Sequence, residues 1–168
     1  KAPAPEYLRR PRGLGRSCQI TSVLKNFSAL DNVSLAVQAH SGHSFRFWSI
    51  ARKAQELREP ALEILEKIGL TDRMDIPASI LSHGEQRQLE LAMALATRPK
   101  LLLLDEPMAG MNIEEKQDMC RFILDINEQY GTTIVLIEHD MGVVMDLSER
   151  MIVLDYGRKI AEGTPYEI

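Results

Sequence analysis

The sequence predicts an α/β fold built on a mostly parallel sheet. Short aliphatic runs, Leu101–Leu104, Thr133–Ile137 and Met151–Leu154, have the length of buried strands. Stretches with helix start and stop signals separate the first two, and a shorter capped stretch precedes the third. The composition, 45% apolar and 26% charged over 168 residues, is that of one globular domain. Strands alternating with helices argue for a sheet covered on both faces.

Residues up to about Leu81 read as loops and helices. The first sixteen are rich in Pro and Arg, and Arg9, Arg10, Arg12 and Arg16 form the one basic cluster, read as a solvated loop. A helix is expected over Ala29–Gln38 and another around Phe45–Leu57. Pro60 suits the first turn of a third, with Leu62, Leu65 and Ile68 at helical spacing and Gly69 as its stop. Ser82 and Glu85 form an S-x-x-E capping box that opens a helix from about Gly84 to Thr97, with Pro99 just beyond it. Leu101–Leu104 is a buried strand. Asn112 and Glu115 cap a helix that runs to Tyr130 and stops at Gly131. Thr133–Ile137 is a second buried strand, and Asp140 caps a short helix through Met145. Met151–Leu154 is a third strand, and the turn Asp155-Tyr156-Gly157-Arg158 leads into a last one, Lys159–Ala161.

Ligands of such sheets sit at the carboxyl ends of the strands. Leu101–Leu104 runs into Asp105 and Glu106, and Thr133–Ile137 runs into Glu138 and His139. Four aliphatic residues followed by Asp-Glu make a Walker B pattern. Its Asp can hold Mg²⁺ directly or through water, and its Glu can orient or deprotonate a water that attacks a phosphate. The competing reading is a buried strand whose end is solvated by acids. His139 alone reads as a satisfied loop residue. One crossover after a Walker B strand, it can instead hydrogen-bond a transferred phosphoryl group. Leu81-Ser82-His83-Gly84-Glu85-Gln86 puts free N–H groups, a hydroxyl and a glycine at a helix head, where anions are favoured. By itself the S-x-x-E is an ordinary capped start; the order of the features decides against that.

With these motifs in this order the sequence resembles the ABC-family ATPases. Leu81–Gln86 resembles their signature, Leu101–Pro107 their Walker B segment, Ala109-Gly110-Met111-Asn112 their D-loop, His139 their switch histidine, and Arg16-Ser17-Cys18-Gln19 their Q-loop. The resemblance covers the chain from about Gly13 to Ile168. The wording of Leu81–Glu90, Met108–Asn112 and Asn32–Gln38 is closest to the ATPase subunits of branched-chain amino-acid importers. Cys18 stands where an aromatic residue is usual, His83 where Gly is commoner, and Asn112 where Asp is commoner.

The resemblance implies a P-loop NTPase fold whose residues 20–81 form a helical subdomain facing the membrane-spanning subunits. Residues 82–168 would carry the signature helix, Walker B, D-loop and histidine. It implies ATP and Mg²⁺ as cofactors, with Asp105 and Gln19 on the metal. Glu106, His139 and Gln19 would be catalytic. Ser82, Gly84, Gln86 and Asp105 would bind nucleotide, Ser82 and Gly84 acting in trans across a head-to-tail dimer. The other partners implied are permease subunits on the cytoplasmic face of the cell membrane.

No Gly-Lys pair occurs anywhere in the chain, so it contains no G-x-x-x-x-G-K-[ST] phosphate-binding loop. Gln19 lies too near the start for that loop and the first sheet strands to precede it. About five charge-assisted bonds of ~1.5 kcal/mol each are thereby forgone, which is about five powers of ten in affinity. The expectation is a truncated domain, inactive alone, with an unpaired apolar sheet edge prone to self-association. A net charge of −4 gives no general attraction to nucleic acid. Cys18 and Cys120 fit a reducing compartment, and no apolar run approaches the ~18 residues that span a bilayer. A soluble, cytoplasmic protein with no direct membrane insertion is expected. The alternatives are a regulatory or decoy module that pairs with an intact ATPase, and a non-transport ABC ATPase.

Overall fold

A computed structural model describes residues 14–16, 23–40 and 50–168. In chain order these form β1 (Leu14–Arg16), α1 (Ala29–His40), α2 (Ile50–Lys67), a 3₁₀ turn (Thr71–Arg73), α3 (His83–Ala96), β2 (Leu101–Asp105), α4 (Ile113–Tyr130), β3 (Thr133–Ile137), α5 (Met141–Leu147), β4 (Met151–Asp155) and β5 (Arg158–Gly163). The sheet is parallel in the order β1-β2-β3, with Leu14 beside Leu101 and β2 in register with β3 from Leu101↔Thr133 to Asp105↔Ile137. The short strand β1 was not expected in a stretch read as loops and helices. The remainder of the Arg-rich start lies outside the described residues.

Leu102 and Leu104 point from β2 into the core, which also takes Leu30 and Val33 of α1, Leu65 of α2, Leu89 of α3, and Met119 and Ile126 of α4. Burying each such side chain is worth about 1.5–3 kcal/mol. Both predicted capping boxes form: the Ser82 hydroxyl accepts from Glu85 N–H and the Asn112 side-chain Oδ1 from Glu115 N–H, each glutamate carboxylate accepting in turn from the cap residue's N–H. Gly131 ends α4 at φ 60°, the left-handed cap that glycine adopts without a Cβ clash. Asn32 is fully buried, yet its amide bonds the backbone of Leu24, Phe27 and Ser28, clamping the turn that enters α1.

Three expectations need correction. Pro60 does not open a helix; it lies inside α2, which runs through it from Ile50 to Lys67. An interior proline costs about 3 kcal/mol. The buried face Ala61, Leu65 and Ile68, packed on α1 and α3, offsets that. The part of the expected Phe45–Leu57 helix before Ile50 lies outside the described residues.

Second, Thr133–Ile137 is not buried on both faces. Ile134 and Leu136 pack on the core, whereas Val135 and Ile137 are 47% and 59% exposed. Among the described residues β3 has a neighbour on one side only, and its outer face is about half open to solvent.

Third, Met151–Leu154 does not join the parallel sheet. β4 pairs antiparallel with β5 in a separate two-stranded ribbon. Tyr156 and Gly157 between them have φ 44° and 76°, the paired positive angles of a two-residue hairpin. Such a link allows only an antiparallel neighbour.

Candidate functional site

The register of β2 and β3 decides which side chains meet. Asp105 lies opposite Ile137, and the Glu106 N–H donates to the Ile137 carbonyl at 2.9 Å, one more bond in the ladder. Glu106 then takes φ 46°, a left-handed backbone that costs an L-residue roughly 1–2 kcal/mol. The kink ends the strand and leads into turns in which Ala109 N–H bonds Glu106 O and Met111 N–H bonds Met108 O. Beyond it, Glu106 Oε1 lies 3.5 Å from His139 Nδ1, the first side chain past Glu138 on the neighbouring strand. The imidazole is 79% exposed and the carboxylate 35%. The pair therefore sits at the sheet's carboxyl edge, open to an incoming ligand.

The two acids beside His139 are tied down. Glu138 accepts from Met108 N–H at 3.4 Å and from His139 N–H at 3.3 Å. Asp140 accepts from Lys116 Nζ at 2.6 Å and caps α5 through Gly142 N–H at 3.1 Å. The Lys116 ammonium holds the Asp140 carboxyl below the usual carboxylate range, and the same bond raises Lys116 above an ordinary lysine. The Asp140 cap forms as its position before α5 predicts. Lys116 and the Glu138 bridge carry no signal along the chain, because each depends on how α4 and the loop after β2 lie against β3 in space.

The head of α3 forms a second group. Ser82 Oγ accepts from Glu85 N–H, which leaves its own hydrogen free to donate. Gln86 Nε2 donates to the Leu81 carbonyl at 2.9 Å, so this amide fastens the turn. Arg73 Nε meets Glu85 at 3.0 Å. Gly84 is buried, and a Cβ there would lie 2.6 Å from Glu115 Oε1 at the head of α4. The glycine thus permits a close approach within the chain itself. Gln19, expected to complete the site, lies outside the described residues, as does Cys18.

A single strand-tip carboxylate, Asp105, is a donor set that suits Mg²⁺, which commonly binds through one or two carboxylates plus water and substrate phosphate. Among the described residues no group of three or more His, Cys, Asp or Glu is built to hold a metal unaided. A crevice of about 760 Å³ lies elsewhere, between Val37, Leu57, Ile64 and Ala96 and bordered by Lys100 and Thr132 at the amino ends of β2 and β3. It is at the opposite end of these strands from Glu106 and His139.

Comparison with known proteins bears on this arrangement. A family model described as "ABC transporter" matches residues 8–109. The chain is 35% identical over 162 residues to the high-affinity branched-chain amino acid transport ATP-binding protein BraF of Pseudomonas aeruginosa, covering 94% of this chain and 64% of BraF. It is 44% identical over 118 residues to the corresponding LivG of Salmonella typhimurium, covering 70% and 46%. The chain therefore spans between 46% and 64% of the length of these relatives. Among solved structures it resembles the ATP-binding cassette MJ0796, a dimer bound to ADP and Pi, with a TM-score of 0.79 and 25% identity over 96% of this chain and 68% of that one. The cassette MJ1267 gives 0.76 at 29% identity, covering 94% and 63%.

Proposed function

This chain belongs to the ABC transporter family, and from that premise we propose that it carries the carboxylate, histidine and signature parts of an ATP-hydrolysing site in a branched-chain amino-acid importer. The observation that supports this reading best is the contact between Glu106 and His139 across the tips of two parallel strands, beside Asp105. ATP with Mg²⁺ would supply the phosphoryl group and neutralise the charge that develops on it.

Each residue then has a task. Asp105 anchors the cation. Glu106 is the base that orients and takes a proton from the attacking water, held at an angle fixed by its left-handed backbone. His139 donates toward the phosphoryl oxygens while Nδ1 faces Glu106. Gln19 would watch the same cation. Ser82 donates its free hydroxyl hydrogen to the γ-phosphate held by a partner subunit, and the N–H groups at the head of α3 add a favourable dipole. Gln86 acts by holding the Leu81–Ser82 turn. The partners are a second ATPase subunit, head to tail, and permease subunits on the cytoplasmic face of the membrane; among the described residues no helix is long and apolar enough to cross it.

The 168 residues contain no Gly-Lys pair, so the phosphate cradle is supplied from outside them. Calorimetric titration of the purified chain with Mg-ATP should give no heat above dilution. Saturable binding near one equivalent would overturn that view of the cradle. Supplied with a separate polypeptide carrying a relative's phosphate-binding loop, the chain should hydrolyse ATP. Glu106→Gln should then cut the rate about 100-fold or more, the usual scale for losing a general base. Hydrolysis that survives Glu106→Gln and His139→Ala would sink the assignment of roles.

A further inference from the structure

Among the described residues the His139 side chain makes one weak contact, the 3.5 Å approach to Glu106, and it is largely open to solvent. A ring so exposed cannot be aimed by packing. Its direction must come from its backbone, and the backbone is held on both sides by carboxylates that each bridge two donors. Glu138 joins the Met108 N–H, three residues past the tip of β2, to the His139 N–H. Asp140 joins the α5 amide of Gly142 to the ammonium of Lys116 on α4. Of these four donors three are backbone groups, those of Met108, His139 and Gly142. The fourth, Lys116, is a side-chain donor and ties the histidine loop to α4.

We propose that Lys116 is a positioning residue for His139: through Asp140 it fixes the loop that presents the imidazole to Glu106. The proposal rests on the reading of Glu106 and His139 as a catalytic pair. Its structural content, the dependence of the loop on Lys116, stands apart from that reading.

Three features carry it. The Lys116–Asp140 bond, at 2.6 Å, is tighter than either bond of the Glu138 bridge, 3.4 and 3.3 Å. Asp140 uses different oxygens for its two partners, Oδ2 for Lys116 and Oδ1 for Gly142, so the lysine and the cap act together rather than compete. Lys116 also sits in the first turn of α4, whose preceding residue Glu115 is pinned in the Asn112 box and faces Gly84. That turn is a rigid support. Among the described residues the charged groups near His139 are Glu106 from just past β2, Glu138 and Asp140 from its own loop, and Lys116 from α4. The lysine is the one cation among these four, and it is bonded to Asp140.

The test is nuclear magnetic resonance on the full chain, without nucleotide. In the wild type, a nuclear Overhauser contact should join the His139 ring protons to the Glu106 methylenes, and the His139 and Gly142 amides should exchange slowly. Lys116→Ala should abolish the ring contact and speed exchange of both amides by about tenfold or more, a local opening that leaves the melting temperature nearly unchanged. Lys116→Arg should restore both. If Lys116→Ala does not fold, Asp140→Asn serves. It keeps an Oδ1 acceptor for Gly142 and weakens only the lysine bond, so the ring contact should again vanish. Retention of the contact and of slow exchange in either variant would reduce Lys116–Asp140 to a surface ion pair and overturn the proposal. Absence of the ring contact in the wild type would count against the catalytic pair instead, while amide exchange would still report on Lys116.

Discussion

Gly84 and Glu115 touch across the heads of two helices: a Cβ on Gly84 would stand 2.6 Å from Glu115 Oε1 and 2.8 Å from its Cδ. No ordinary side chain fits that gap without movement. The carboxylate is the end of a flexible chain, but it is engaged, accepting from Asn112 N–H at 2.9 Å. Gly84→Ala should therefore expel Glu115 from its capping box at about 1 kcal/mol, while alanine gains up to about 1 kcal/mol of helix propensity. The two nearly cancel, so the single variant should melt close to wild type. In a Glu115→Ala background the clash is gone and Gly84→Ala should stabilise by about 0.5–1 kcal/mol. Urea titrations of the four proteins measure this, and equal effects of Gly84→Ala in both backgrounds would disprove the coupling. The glycine then has a reason within the fold, alongside any approach to a phosphate in trans.

The Lys116–Asp140 bond gives the α5 cap a definite pH window. Asp140 titrates below its ordinary 3.8 in the folded chain. Its stabilising contribution is complete above that value and is lost as pH falls through the depressed folded value. Lys116 titrates above its ordinary 10.5, so its share is complete below 10.5 and is lost as pH rises past the raised value. Gly142 amide exchange, corrected for its intrinsic pH dependence, should be most protected between these limits. Protection should fall on acidification below about pH 4, the unperturbed aspartate range. Asp140→Asn should flatten the acid limb. Because the pair is partly exposed, added salt should weaken it. An acid limb that persists in Asp140→Asn would assign it to another carboxylate.

Local signals carried most of the elements into the sequence. Ser82/Glu85, Asn112/Glu115 and Gly131 act within one turn of themselves, and each cap appears where its spacing put it. The strand-tip residues Asp105, Glu106 and His139 were legible because the tip of a strand is defined by the run before it. What escaped depended on partners distant in sequence. β1 has three residues and no periodicity of its own; pairing with Leu101–Leu103 makes it a strand. The exposure of Val135 depends on which neighbours β3 has. Lys116 reaches Asp140 over 24 residues, a contact no pattern along the chain encodes. Pro60 was misplaced for the opposite reason: a local rule was overridden by packing of Ala61 and Leu65.

Pro60 therefore offers a stability test. It leaves the Glu56 carbonyl without its helical N–H partner and lines the crevice with a half-exposed ring. Pro60→Ala restores a donor and the preferred helical residue, a gain of up to about 3 kcal/mol, less about 0.4–1 kcal/mol for a freer unfolded chain. A net stabilisation of about 1–2 kcal/mol is expected. Thermal melting followed by circular dichroism reads it. A destabilised variant would mean that the proline ring packs on the crevice more strongly than its exposure implies.

The outer face of β3 sets the last expectation. Thr133, Val135 and Ile137 share that face, and the strand contains no charge and no proline. Val135 and Ile137 are among the exposed large apolar side chains, as are Ile152, Leu154 and Ile160 of the β4–β5 ribbon. Each exposed aliphatic side chain that finds a partner gains up to about 1.5–3 kcal/mol. Uncharged, β-rich segments with an open side are those that associate. The purified chain should therefore sediment as larger species at micromolar concentration. Val135→Lys should shift it toward monomer by placing a charge on the association face, with little effect on the core, since Ile134 and Leu136 are the residues of β3 that pack there. Ile152→Lys on the separate ribbon distinguishes the two surfaces. If it dissociates the larger species and Val135→Lys does not, the ribbon rather than β3 carries the association. A chain that sediments as a monomer before any substitution would show that neither face drives it.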